Sequence, residues 1–383
     1  MKNKKTISFI RSLFGNDSFI PLHTPSFEGN EKKYLLECID STYVSSVGTF
    51  VTQFETKISN YIGSKYAVAV MNGTSALHTA LITCGVEQGD EVITQSLTFV
   101  ATANSIKYCN AEPLFLDVDK DTMGLSPNAL EAFLEEYSIM RNGSCYNKIT
   151  NKRIKACIPM HTFGFPCRII EICKICANFG IKVIEDAAEA IGSELNGQKI
   201  GTFGDAGIFS FNGNKVITAG GGGVIITNNA FVAKESKHLT TTGKQFHPYE
   251  FNHDRIAFNY RMPNINAALL CAQLEQLDHF LEHKRILAEQ YKTFFDQIDE
   301  IKLRWELEGT KANFWLISLE MKDKPTRDLF LKETNQNNIM TRPIWTLMHK
   351  LPMFKDCFKD RQENALYLEE RIVNIPSSYR KNG

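Results

Sequence analysis

The chain has 383 residues, 43% apolar and 22% charged, which suits a packed globular protein with a large and a smaller domain and excludes a disordered chain. Its 43 basic and 43 acidic side chains cancel, so the electrostatic footprint of a nucleic-acid binder is missing. No run approaches the roughly 18 apolar residues of a membrane span.

The N-terminal stretch "MKNKKTISFIRSLFGNDSF" starts basic, but Arg11 interrupts its short apolar part and no small-residue cleavage site follows. It is expected to be a poorly packed arm over residues 1–20 rather than a signal peptide. Apolar, β-branched runs then alternate with helix-like segments. "KYAVAVM" (65–71) precedes "SALHTALITCG", "DEVITQ" (90–95) precedes "TFVATANSIKYC", and "AEPLFLDVD" (111–119) precedes "SPNALEAFLEEYS". "IKACIPMH" (154–161) comes before "RIIEICKICANFG", followed by "IKVIEDAA" (181–188), "DAGIFSF" (205–211) and "GGVIIT" (222–227). These seven strand candidates predict an α/β fold whose sheet is covered on both faces. "NINAALLCAQLEQLDHFLEHKRILAEQYKTFFDQI" then has long helical periodicity. Beyond residue 300, "ANFWLISLEM" reads as a strand and "TRDLFLKETNQNN" as a helix. The expected organisation is an arm (1–20), a large domain (21–262), and a connecting helix with a smaller C-terminal α/β domain (263–383).

Ten cysteines are scattered without disulfide-scaffold spacing, which fits reduced thiols in the cytoplasm. Cys173 and Cys176 form a CxxC, but within an apolar helix-like run and with no second pair nearby, so they read as buried helix thiols. No metal site is expected.

Ligands of parallel α/β sheets bind outside the carboxyl ends of strands. After the first strand, "NGTSAL" offers Gly73 for a tight turn, then Thr74 and Ser75 opening a helix; this is either an anion site or a plain helix cap. Glu185 and Asp186 end the fifth strand, where a carboxylate is costly unless something cationic meets it; a cap or surface ion pair is the alternative. Phe99 follows the second strand and either packs in the core or stacks on a flat ring. Ser210 and Lys215 follow the sixth strand, in "FSFNGNK". A phosphate cradle, a stacking ring, an acid for a ring nitrogen and an amine for an aldehyde are together the needs of pyridoxal 5′-phosphate, with Lys215 as the Schiff-base lysine.

The stretches "GTFVTQFETKISNYIGSKYAVAVMNGTSAL", "GDEVITQSLTFVATANSI", "PMHTFGFPC", "VIEDAAEAIGSELNGQKIGTFGDAGIFSFNGNK" and "FNYRMPNINAALLCAQLEQL" resemble the DegT-type sugar-nucleotide aminotransferases, a branch of the fold-type I pyridoxal-phosphate enzymes. That resemblance spans nearly the whole chain. It implies a large domain with a seven-stranded mixed, mostly parallel sheet and a smaller C-terminal α/β domain. It also implies that Lys215 carries the cofactor, Asp186 pairs with its ring nitrogen, and Phe99 stacks on its face. Gly73, Thr74, Ser75 and Ser210 would hold the phosphate, with Asn259 reaching it from the neighbouring subunit of a homodimer. Glu189 stands where relatives often have histidine or glutamine, and the resemblance carries it over as a cofactor contact. L-glutamate would be the amino donor and a 4-keto-6-deoxy sugar nucleotide the acceptor.

The wording of "SLTFVATAN" and "FSFNGNK…TAGGGGV" is most similar to enzymes acting on UDP-2-acetamido-2,6-dideoxy-4-ketohexose in bacillosamine- and legionaminic-acid-type pathways of bacterial surface glycans. A GDP-linked ketosugar, as in perosamine-type synthesis, is the alternative. Dehydratase relatives carry histidine at the position of Lys215, and a non-enzymatic binding or regulatory relative would lack part of the cofactor set. Arg342 and His349, in "TRPIWTLMHKLPMF", are candidates for meeting a carboxylate or the sugar nucleotide, and His161 is read first as a structural hydrogen-bonding residue.

Overall fold

The computed structural model describes residues 3–15 and 19–380. The large domain is built on a seven-stranded sheet whose strands are, in chain order, β1 (Tyr66–Val70), β2 (Glu91–Gln95), β3 (Glu112–Leu116), β4 (Ile154–Ile158), β5 (Lys182–Asp186), β6 (Ala206–Ser210) and β7 (Gly223–Thr227). Their order across the sheet is β1-β7-β6-β5-β4-β2-β3. Only β7 runs against the others, pairing antiparallel with both β1 and β6. Each of the seven expected strands is present, trimmed by one to three residues at one or both ends.

Period-2 alternation sends apolar side chains to both faces, as a sheet covered on two sides requires. Val68, Val70, Ile184, Ile208 and Ile225 meet Leu77 and Leu81 of the helix Gly73–Thr83 on one face. Ala69, Val183, Phe209, Val224 and Ile226 join the main core on the other.

The small domain holds a four-stranded sheet of β8 (Ile301–Leu303), β9 (Ile317–Met321), β10 (Arg342–Pro343) and β11 (Ile372–Ile375), in the order β8-β9-β11-β10. Its helix Lys324–Gln336 starts with Asp323 accepting the Thr326 N–H at 2.8 Å and has proline in the first turn, a strong N-terminal signal.

Three expectations need correction. Of the arm expected over 1–20, Lys4–Phe14 form an amphipathic helix that buries Ile7 and Ile10 and stacks Phe9 on Phe294 at 4.0 Å, so this part is packed; residues 1–2 and 16–18 lie outside the described residues. The single connecting helix is instead two helices, Asn264–Leu274 and Leu277–Phe295. The first packs on the large-domain helices Glu31–Asp40 and Thr49–Ile62. Lastly, only Ile317–Met321 of "ANFWLISLEM" is strand, because Phe314 adopts a left-handed φ of 47° and turns the chain just before it.

Candidate active site

The carboxyl ends of β1, β2, β5 and β6 converge on one cavity of about 370 Å³, lined by Gly73, Thr74, Phe99, Asp186, Glu189, Ser210 and Lys215. Residues remote in sequence thus meet where a parallel sheet offers its ligand crevice.

At the end of β1, Asn72 rather than Thr74 or Ser75 caps the helix Gly73–Thr83; its side chain accepts the Ser75 N–H at 2.8 Å. Gly73 and Thr74 line the cavity, and their N–H groups precede the first intrahelical bond, so helix start and dipole favour an anion there. Gly73 opens this helix without a positive φ. A Cβ on Gly73 would fall 2.9 Å from the Ser210 Cβ, so closeness between strand ends, rather than turn geometry, calls for glycine. In the glycine run, a Cβ on Gly223 would lie 2.5 Å from the Asn72 carbonyl carbon, which lets β7 approach the same turn.

Asp186 closes β5 with its carboxylate buried. Its Oδ2 accepts the Thr102 hydroxyl at 2.7 Å and its Oδ1 the Ala188 N–H at 3.2 Å. Burial pushes this carboxyl above its ordinary range, while the Thr102 bond, the Ala188 N–H and the nearby Lys215 charge pull it back. A buried carboxylate with spare acceptor capacity is suited to a protonated ring nitrogen.

The neighbouring Glu185 points away from the cavity. It accepts the N–H groups of Gly201, Phe203 and Gly204 at 2.7 to 2.9 Å and faces His161 Nε2 at 3.2 Å. His161 Nδ1 in turn accepts the Cys167 N–H at 3.2 Å, so the buried ring is a structural link between Glu185 and the Cys167 backbone.

Lys215 follows β6 after a turn closed by its N–H on the Asn212 carbonyl at 2.9 Å. Its Nζ lies 3.1 Å from Glu189 Oε1, and Glu189 Oε2 accepts the Phe163 N–H at 2.9 Å. Burial raises the Glu189 carboxyl against the opposing Lys215 charge. Phe163 holds a left-handed φ of 55°, a strained setting for an aromatic residue that aims its N–H at Glu189. Phe99, 50% exposed, caps a helix start without a side-chain bond and presents its ring at the cavity, 6.3 Å edge-on to Trp345.

Residues 25–381 match the DegT/DnrJ/EryC1/StrS aminotransferase family. The chain belongs to this family. It is 37% identical to the GDP-perosamine synthase of Escherichia coli O157:H7 over 359 residues, covering 94% of this chain and 93% of that protein. It is also 37% identical to the GDP-perosamine synthase of Vibrio cholerae over 368 residues, 94% of each chain. A DegT DnrJ EryC1 StrS aminotransferase from Brucella abortus superposes with a TM-score of 0.82 at 27% identity, over 91% of this chain and 90% of that one. The protein is therefore a pyridoxal-phosphate-dependent aminotransferase of fold type I. These relatives support the family but not the narrower likeness to bacillosamine- and legionaminic-acid-type enzymes, since two of them are perosamine synthases.

The residues present fit pyridoxal phosphate: Gly73, whose missing Cβ keeps the cradle beside Ser210 open, is matched by a buried carboxylate at Asp186 and an amine at Lys215. Other expected contacts are placed elsewhere. Ser75 is buried behind the helix start, its N–H on Asn72 and its carbonyl accepting the Thr79 hydroxyl at 2.7 Å, and it does not line the cavity. Asn259 is exposed beside the edge of β1, where Met71 N–H donates to the Tyr260 carbonyl at 2.8 Å, and it too lies off this chain's cavity. Arg342 is exposed on β10. His349 is buried, with Nδ1 2.7 Å from the Ser96 hydroxyl; it ties the small domain to the end of β2 and does not reach the cavity.

Sequence reasoning missed Thr102, Trp315 and Trp345. Thr102 lies one helical turn after Phe99, so the i, i+3 spacing in "FVAT" carried a signal. The tryptophans come from the small domain, far along the chain from the strand ends, and no local pattern marks them.

Proposed function

We propose that the protein transfers the amino group of L-glutamate to C4 of GDP-4-keto-6-deoxymannose, giving a perosamine nucleotide and 2-oxoglutarate. The observation that carries this reading is the cavity with Lys215, Asp186 and the Gly73–Ser210 cradle, in a chain 37% identical along nearly its whole length to GDP-perosamine synthases. The exchange balances by itself: the amine leaves one carbon and enters another, the ketone oxygen moves the opposite way, and no external oxidant is needed.

Pyridoxal phosphate, when bound, supplies the aldehyde for amine exchange and an electron-accepting ring. Gly73, Thr74 and Ser210 bind its phosphate through backbone N–H groups and hydroxyls. Asp186, oriented by Thr102 and Ala188, keeps the ring nitrogen protonated. Phe99, at the cavity wall, would stack on the ring and shield it from water. Lys215 would hold the aldehyde carbon of that group, and its amine, when free, would be the acid–base group that moves the donor's α proton. Glu189 keeps the released amine within 3.1 Å.

The same reading includes a homodimer with shared sites. Leu36, Ile39, Tyr43 and Val47 are 58%, 60%, 58% and 68% exposed, and Phe246 and Ile256 are 98% and 93% exposed. Apolar side chains so open to water support burial against a second copy, with Asn259, itself exposed, as the contact in trans.

The test loads the protein with pyridoxamine 5′-phosphate and follows single-turnover discharge with GDP-, UDP- and dTDP-linked 4-keto-6-deoxysugars. Fastest discharge by GDP-4-keto-6-deoxymannose is expected. Preference for the UDP-linked 2-acetamido ketosugar would replace this acceptor with the one first read from the sequence.

A further inference from the structure

Trp315, in the segment leading into β9, grips Lys215 from two sides. The Lys215 Nζ stands over its indole ring at 3.8 Å from the centroid. The indole Nε1–H donates to the carbonyl of Asn214, the residue before the lysine, at 2.6 Å. One side chain therefore holds both the root and the tip of the lysine.

Trp315 is itself firmly anchored. Its N–H donates to Asn313 Oδ1 at 2.8 Å, and its carbonyl accepts the Ser377 hydroxyl at 2.8 Å and the buried Lys284 Nζ at 3.2 Å. Asn313 reaches back to the large domain, donating to the carbonyls of Glu189 and Ile191 at 2.8 and 2.9 Å. Phe314, with its left-handed φ of 47°, is the bend that directs the indole toward the lysine instead of along the strand. Bulky residues adopt this conformation only where surrounding structure enforces it, and such strain concentrates at functional sites.

We infer that Trp315 is a positioning residue that confines the free Lys215 amine beside the cavity, poised to capture the cofactor aldehyde and to remain at the reacting carbon each time a substrate displaces it. In the capture step the lysine nitrogen forms a C=N bond with the aldehyde carbon. The aldehyde oxygen leaves as water, with no change of oxidation state. The ammonium first loses a proton, for which Glu189 Oε1 is the acceptor in reach. A lysine has four rotatable side-chain bonds, and confining them in advance removes an entropic cost from the step. A ring face attracts any cation held over it, which opposes capture, so confinement is read at the alkaline plateau of the capture rate.

This inference rests on Lys215 being the cofactor-bearing amine. The test compares cofactor-free wild type, Trp315→Phe and Trp315→Leu by stopped-flow absorbance of pyridoxal 5′-phosphate capture across pH, beside the affinity for pyridoxamine 5′-phosphate, which has no aldehyde. At the alkaline plateau, Trp315→Leu is expected to capture about tenfold more slowly and Trp315→Phe, which keeps a ring face, about threefold. Both variants should keep pyridoxamine 5′-phosphate affinity within about twofold, a readout that a merely structural wall would move. Unchanged or faster plateau capture in Trp315→Leu, or equal losses in capture and in pyridoxamine 5′-phosphate affinity, would overturn the positioning role. Absence of any adduct on Lys215 in the wild type would instead remove the lysine assignment beneath it.

Discussion

Gly73 and Ser210, at the ends of β1 and β6, approach so closely that a Cβ on the glycine would stand 2.9 Å from the Ser210 Cβ and 3.2 Å from its hydroxyl. The two strands are separated by β7 in the sheet, and their tips close over it. Gly73→Ala is therefore expected to push the Ser210 hydroxyl out of place and weaken pyridoxamine 5′-phosphate binding about tenfold or more, with a normal far-ultraviolet spectrum. Wild-type affinity in an equilibrium titration would show that the cradle lies elsewhere.

Lys215→Ala is expected to lower steady-state activity by about a thousandfold or more, because no other side chain replaces the amine that moves the proton. The variant should still bind the cofactor through the phosphate contacts. Its absorbance would then be that of the free aldehyde rather than of an imine. Near-normal turnover would end the mechanism.

Asp186→Asn separates function from stability. Burial raises the Asp186 carboxyl in the folded state, so between its unfolded and folded values the native protein binds the extra proton. That contribution is present at acid pH and is lost as pH rises through the folded value. At neutral pH the cofactor-free Asn variant should melt about 1–3 °C above the cofactor-free wild type, the gap closing in acid. Its transfer of the glutamate α proton should slow by about tenfold to a hundredfold, since a neutral amide cannot keep the ring nitrogen protonated. Calorimetry and rapid-scan absorbance check the two halves. An unchanged proton-transfer rate would mean that Asp186 is misassigned.

Much of this was legible because strand ends in a parallel sheet are local events. The β-branched runs mark the seven strands; Asp186 and Ser210 end two of them, and Gly73, Phe99 and Lys215 lie in the segments that follow strand ends. Strand order was not legible, since nothing in "GGVIIT" says that β7 inserts antiparallel between β1 and β6. The small-domain wall of the cavity was equally hidden. Trp315 enters it through a left-handed Phe314, a conformation that glycine or asparagine would have advertised and phenylalanine conceals. The reverse holds for the Ser138–Arg141 and Ser144–Asn147 hairpin, whose Asn142-Gly143 turn has φ of 49° and 76° and carries a readable signal.

If Asn259 acts in trans, mixed dimers of Lys215→Ala and Asn259→Ala proteins hold one site with both lesions and one intact site. Activity at limiting cofactor should then rise above either parent, toward about a quarter of the wild-type level for random reassembly of equal amounts. Verified heterodimers with no gain would place Asn259 within its own subunit's chemistry or outside it altogether.

The most direct measurement is the position of the covalent bond. The protein is loaded with pyridoxal 5′-phosphate, reduced with borohydride, digested and mapped by mass spectrometry. Buried Lys284 is the natural competitor, because burial brings its amine down to about 7 and makes it a ready nucleophile wherever the aldehyde can reach it. The expected result is a single reduced adduct on Lys215, absent when L-glutamate is added before the borohydride. An adduct on Lys284 or another lysine, or label on Lys215 that glutamate does not prevent, would contradict the assignment of Lys215 as the amine that exchanges with the donor.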